Sequence, residues 1–483
     1  MTLRTSEEPV APAPVRRRPR RRWIIGTLVL VVGAAAVVAV LVLREDDRFP
    51  DEWAADVKPF VEVVEEERDL EFEHPVYVEF LPPAKFEEQV TADEADLSDE
   101  DREELEQAAG MFRAVGLIEG EVDLFEATNA LAGAGILAYY SYDDERIRIR
   151  GEKLTPAIEV TLVHELTHAL QDQHFDLGRR VDELEKLDDS SSAAFDALVE
   201  GDARRIETAY VDDLDDDDRA AVTKEQEKES KKFRKRTSDL PAVLSTLVGA
   251  PYALGEAMLQ MAVLDNGNES VDELFEKPPT TDEHLVDPWT LLGDRDDAAE
   301  VEPPTLDEGV EETDSGEFGS VGWLLVLAER IPLLQALDAT DGWGGDAYVS
   351  FEYAGRTCVQ IAYEGDSAAD VKQLSAALER WIAALPDSRA TVERAGDGLL
   401  FTSCDPGAAA DVGTDSSDDA LGLALTRTYA AIGLLSSGAD KEPARCIADS
   451  LVHTYSTKEL NNPEFGRDPE VQAELMELAG TCR

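Results

Sequence analysis

The sequence predicts an α+β protein in three parts: one N-terminal transmembrane helix, a helix-rich body with a few strands, and a smaller disulfide-containing α+β domain at the C-terminus. Three observations carry this. Residues 23–43 form an uncharged apolar run long enough to span a bilayer. Beyond it, helical periodicity and strand-like alternation both occur. The four cysteines, Cys358, Cys404, Cys446 and Cys482, all fall in the last third.

The 483 residues carry 104 acidic and 45 basic side chains, a formal charge of −59. Seven Arg and two Glu put +5 on residues 1–22, and residues 23–43 carry none, so −64 falls on residues 44–483. That balance excludes a nucleic-acid binder, because phosphate contacts need clustered Lys and Arg. It also excludes docking of the folded part on anionic lipid. Residues 1–22 read as a basic cytoplasmic tail, held inside by Arg16–Arg22 under the positive-inside rule. The 21-residue run from Trp23 to Leu43 would be about 31 Å long as a helix. A cleaved signal peptide would have ~7–15 apolar residues with small residues at their end. Here Ala34 to Ala36 lie mid-run, so the run reads as an anchor with the body outside the cell. There the cysteines are expected to pair as Cys358–Cys404, across two strands, and Cys446–Cys482, tying the terminus to a helix. Acid excess spread over so many helices reads as solvation for a salty or alkaline exterior, a halophilic trait.

Along the body, 52–70 has helical periodicity and Val76–Leu81 reads as a strand stopped by Pro82 and Pro83. Helices are expected near 98–115 and 122–131, then a hairpin of 136–142 and 146–150. Thr155 and Pro156 look like the N-cap and first residue of a helix, and another helix covers about 192–211. Six Asp in 212–218 and seven Lys or Arg in 224–236 suit the two ends of one helix dipole. Residues 293–317, rich in Asp, Glu and Pro, read as a mobile loop. From Asp346 the order becomes strand, strand, helix (367–384), strand (390–394), strand (399–403). The expected division is 50–335 for the body and 336–483 for the C-terminal domain.

Chemistry concentrates in one stretch. Three of the six His fall within eleven residues, as His164-Glu165-Leu-Thr-His168 and His174. Residues four apart share a helix face, so His164 and His168 can bind one metal ion, and two imidazoles suit zinc. Glu165, turned about 100° from His164, can act as general base on an attacking water. Two residues compete as third ligand. His174 occupies the place of a third His in HExxHxxGxxH, but Gln171 replaces the glycine that permits the sharp turn. Glu200, in Ala197-Leu-Val-Glu200-Gly-Asp-Ala203 on the next helix, would complete a two-His, one-Glu set and is favoured. Tyr252, then Tyr210 and His284, are candidates for a donor to the developing oxyanion. The alternating arginines of Arg146–Arg150 suggest either strand addition by an extended substrate or a solvated face.

HELTHALQDQHFDL followed by ALVEGDA resembles gluzincin-like (HExxH…E) zinc metallopeptidases of bacteria and archaea that are membrane-anchored or exported. Pro251–Gly255, Pro278–Asp282 and Gly342–Asp346 are also similar to that group, so the likeness covers roughly residues 76–365. It implies a zincin-like domain, with a mixed sheet over the HExxH helix and a helical subdomain carrying the glutamate. One departure stands out. The group's PPxSTEQ segment, ending in HP, here reads Pro278-Pro-Thr-Thr-Asp-Glu-His284-Leu-Val-Asp287-Pro288. The expected function is that of a zinc-dependent peptidase acting on peptide or protein substrates. A surface-anchored binding or scaffolding protein with an inactive peptidase-like domain is the alternative.

Overall fold

The computed structural model describes residues 48–184, 190–292, 295–385, 390–410, 416–460, 462, 465–467 and 469–482. The expected tail and membrane helix at 1–43 lie outside them. Helix accounts for 60% and strand for 12%, so the architecture is α+β. A different helix, Ala242–Asn266, is long and apolar enough to cross a membrane by length and composition, but 61% of its most apolar stretch is buried inside the protein. It is a core helix.

The first sheet holds β1 (Tyr77–Leu81), β2 (Ala138–Ser141) and β3 (Arg146–Arg150) in the order β1-β3-β2. β1 pairs parallel to β3, and β2 antiparallel. Strand addition along Arg146–Arg150 is therefore ruled out, because β3 is paired on both sides. Its arginines are engaged too: Arg146 with Glu79, and Arg148 with Asp144. The inward residues Ile147 and Ile149 alternate with the arginines and are fully buried. They pack with Ile158, Leu162, Leu166 and Leu170 of the helix Pro156–Phe175, hereafter the motif helix. Thr155 is its N-cap, as expected, but makes no capping bond to the helix. Glu225 accepts the Ala157 N–H at 3.2 Å instead. Glu225 belongs to the helix Asp216–Arg236, which carries acids in its first turn and bases in its last.

The helix Ser191–Asp213, hereafter the glutamate helix, packs on both the motif helix and Ala242–Asn266. Its contact with the latter is made by backbone. A Cβ on Gly255 would sit 1.9 Å from Ala197 O, and one on Gly201 2.2 Å from Gly255 C. Small residues there let the two helices touch.

The second sheet is antiparallel, ordered β4-β5-β6-β8-β7, with β4 at Glu312–Gly316, β5 at Trp343–Glu352, β6 at Thr357–Gly365, β7 at Thr391–Ala395 and β8 at Gly398–Cys404. Its first strand overturns part of the loop expected at 293–317: Glu312–Gly316 pairs with β5, and Tyr348 Oη donates to Asp314. Asp346 organises the junction beneath it. This buried carboxylate accepts Nε1–H from Trp323 and Trp343, both at 2.8 Å, and the Phe318 N–H. Both cysteine pairs are as expected, Cys358–Cys404 directly across β6 and β8 and Cys446–Cys482 at the last helix.

Candidate metal centre

The motif helix runs unbroken from Pro156 to Phe175, so its residues keep 3.6-residue phasing throughout. His164 and His168 therefore project together, with their Nε2 atoms 3.0 Å apart. Glu200, just over half a turn before Asp202 on the glutamate helix, brings Oε2 to 3.1 Å from His164 Nε2 and 3.3 Å from His168 Nε2. Among the described residues these three form the one group of His, Cys, Asp and Glu able to hold a metal. His174 is not brought in. Because the helix continues, it points away, is exposed, and bonds the Glu71 carbonyl at 2.9 Å.

The outer nitrogens explain why the inner ones converge. His168 Nδ1 lies 3.1 Å from Gln171 Oε1, and His164 Nδ1 lies 3.3 Å from Glu207 Oε2. Gln171 accepts, so His168 Nδ1 carries hydrogen and its Nε2 directs a lone pair inward, and the carboxylate of Glu207 favours the same tautomer of His164 at ion-pair distance. Two lone pairs and a carboxylate oxygen then face one another. Such a cluster demands a positive charge. As side chains alone it takes a proton: burial opposes the His164 imidazolium, but Glu200 and Glu207 outweigh it and push its pKa up to about 10. Burial likewise opposes charge on Glu200, yet the two imidazoles hold it well below the usual carboxylate range. The donor set fits zinc. Tetrahedral bonds of ~2.0–2.1 Å have ligand–ligand edges of roughly 3.3 Å, close to the spacings found.

Glu165 is buried on the same helix and accepts the backbone N–H of Tyr140. Burial raises its pKa, and the neighbouring imidazoles pull the other way. Tyr140 lies on β2, the open edge of the first sheet. Arg150 N–H donates to Leu137 O and Glu145 N–H to Ser141 O, so odd-numbered residues of β2 face β3. Ala138 and Tyr140 consequently present their backbone groups outward, toward Glu165.

Of the three donor candidates, Tyr252 is at the site. Its ring stacks on His164 with centroids 5.9 Å apart, and its hydroxyl donates to Glu200. Tyr210 instead packs against Phe60, and the His284 ring bonds Thr290 Oγ1 at 2.7 Å. Tyr142 was missed by sequence reasoning; burial and nearby Glu200 raise its pKa. Gln171 and Glu207 were missed as well. Gln171 was legible in principle, since it lies three residues after His168 on the same face. Compared with protein-family profiles, curated proteins and solved structures, the chain matches none.

Proposed function

We propose that this chain is a membrane-anchored zinc metallopeptidase with a gluzincin-like, zincin-type catalytic domain, its body outside the cytoplasm, hydrolysing peptide bonds. One observation carries the reading: His164, His168 and Glu200 converge within 3.0–3.3 Å, while Gln171 bonds the outer nitrogen of His168 and Glu207 lies 3.3 Å from that of His164. Those three residues would hold zinc, which supplies Lewis acidity, lowering the pKa of water to about 7 and polarising a carbonyl. Glu165 takes the proton of the attacking water and passes it to the leaving amine. Tyr252 donates to the oxygen on which negative charge develops. The Tyr140 N–H is held by Glu165, and the other outward backbone groups, the Ala138 N–H and the Ala138 and Tyr140 carbonyls, offer hydrogen bonds to an extended peptide laid along β2. That arrangement favours peptide over a small ester or amide.

The test is Glu165→Gln in the full chain. The variant should keep about one equivalent of zinc and lose cleavage of an unfolded protein substrate by at least ~10²-fold, the scale of general-base catalysis. Undiminished cleavage removes Glu165 from the mechanism. Absence of cleavage and of zinc uptake in the wild type would instead favour a binding protein with an inactive domain.

A further inference from the structure

We propose that Arg68, at the end of the helix Lys58–Arg68, is a positioning residue for this metal centre, acting through Asp202 and Gln171 on the ring orientation of His168. The inference rests on the zinc reading and on the outer nitrogen of one ligand, His168. Arg68 is 1% exposed, with Nε 2.9 Å from Asp202 Oδ2 and Nη2 donating to Asp272 Oδ1 at 2.8 Å. Asp202 is fully buried, and its Oδ1 accepts from Arg205 at 2.9 Å. Its Oδ2 also accepts from Gln171 Nε2 at 3.0 Å.

The side-chain amide of Gln171 is the hinge of the chain. Its Nε2 donates to Asp202 and to the Val199 carbonyl, at 3.1 Å, and neither partner can donate in return. Both amide hydrogens are thereby spent, and Oε1 is turned toward His168 Nδ1. An acceptor there requires Nδ1–H, which leaves Nε2 as the ligand atom. A flipped amide would present N–H groups to Nδ1, move the ring hydrogen to Nε2 and block the site.

Arg68 keeps Asp202 Oδ2 aimed at the amide. Without Arg68, the buried carboxylate keeps Arg205 alone and turns toward it, and the amide retains only the Val199 carbonyl. A buried ion pair contributes little net stability compared with apolar packing. What this one contributes is direction. Outer partners of metal-binding histidines typically change metal affinity by ~10–100-fold.

The experiment compares the full-length protein in detergent with Gln171→Met, Arg68→Met, Arg68→Lys and Asp272→Asn. Zinc affinity is measured by competition with a chromophoric chelator. The hydrogen-bonded Nδ1–H of His168 is followed by NMR in 15N-histidine-labelled protein, where six His keep the spectrum assignable. Gln171→Met and Arg68→Met should weaken zinc binding ~10–100-fold and expose the Nδ1–H to rapid exchange. Arg68→Lys should recover part of both. Asp272→Asn removes the other partner of Arg68 and should change neither. Wild-type affinity and an unchanged Nδ1–H in Gln171→Met overturn the proposal. So does an equal loss in Asp272→Asn and Arg68→Met, which would mark a general structural effect. If Arg68→Met does not fold, Arg68→Lys decides the matter: wild-type zinc affinity and an unchanged Nδ1–H in that variant overturn the role of Arg68. If the wild type takes up no zinc, the zinc reading fails, and the Nδ1–H signal alone judges the positioning chain.

Discussion

Gly255→Ala tests how tightly the proposed site depends on the crossing of two helices. A methyl group at Gly255 would lie 1.9 Å from Ala197 O, so restoring a contact of about 3.4 Å requires the helices to part by about 1.5 Å. Helix propensity alone favours alanine by ~1 kcal/mol. Overpacking costs ~1–3 kcal/mol, and here the clash is with backbone, which has no alternative rotamer. The clash therefore wins, and melting should fall by several degrees. The shift acts on both sides of the site, since Glu200 and Tyr252 each lie within one turn of the contact. Displacement of catalytic groups by about 1 Å can cost ~10²-fold in rate, so kcat/KM should drop by about that factor. Gly249→Ala, on the same helix with nothing within 4 Å of its would-be Cβ, is the control and should be neutral or slightly stabilising. The assays are thermal melts and cleavage of a fluorogenic peptide. Equal activity and equal melting for the two variants would refute the reasoning.

Three further outcomes follow from the electrostatics. Glu207→Gln, which replaces the carboxylate facing His164 Nδ1, should weaken zinc binding ~10-fold or more by chelator competition while leaving the fold intact. Zinc binding at pH 8 should release about two protons, one from His164, whose pKa, against burial, is pushed up to about 10 by Glu200 and Glu207, and one from the zinc-bound water with its pKa of about 7; calorimetry in buffers of different ionisation enthalpy reads this directly, and release of about one proton or fewer would contradict it. Burial, then Asp366, Asp287, Asp296 and Asp282, push Glu283 up to about 9. A carboxyl group whose folded pKa is raised holds its proton more tightly when folded, so its contribution is lost as pH climbs from about 4.5 through 9. Wild-type melting should consequently fall more between pH 7 and 9.5 than that of Glu283→Gln; parallel curves would exclude this.

What was legible in the sequence had local causes. The pairing of His164 with His168 follows from helical phase, and Glu200 was singled out by its place on the next helix, whereas the backbone contact made by its small neighbours appears only in the structure. Pro251–Gly255 was visible as a motif, but its two jobs, ring against His164 and bare backbone against Ala197, need the partner helix to be known. The rest depended on distant partners. The arginines of β3 looked like an open or solvated face because the parallel partner, β1, lies about 70 residues upstream. β4 was hidden by its acidic composition, since its pairing rests on backbone bonds to β5 that composition does not report. Gln171 was read as a glycine that was missing. Its amide in fact fills a role that only the approach of Asp202 and Val199 from another helix reveals.

Charge compensation separates the two buried networks that share the glutamate helix. Arg68 and Arg205 face Asp202 and Asp272, two cations against two anions, and that set is complete within the protein. Around the imidazoles the count differs. Among the described residues, Glu165, Glu200 and Glu207 are set against one guanidinium, that of Arg204, which bonds Glu207. Buried charge left uncompensated is costly, so this wall either takes up protons or holds a cation. The side chains show the first option in the raised pKa of His164 and Glu165. A divalent ion supplies the second, and does so where two imidazole lone pairs already point. The −64 spread over residues 44–483 tells little about this. It is the local excess, about two negative charges beside two neutral imidazoles, that matches a zinc ion in sign, size and position.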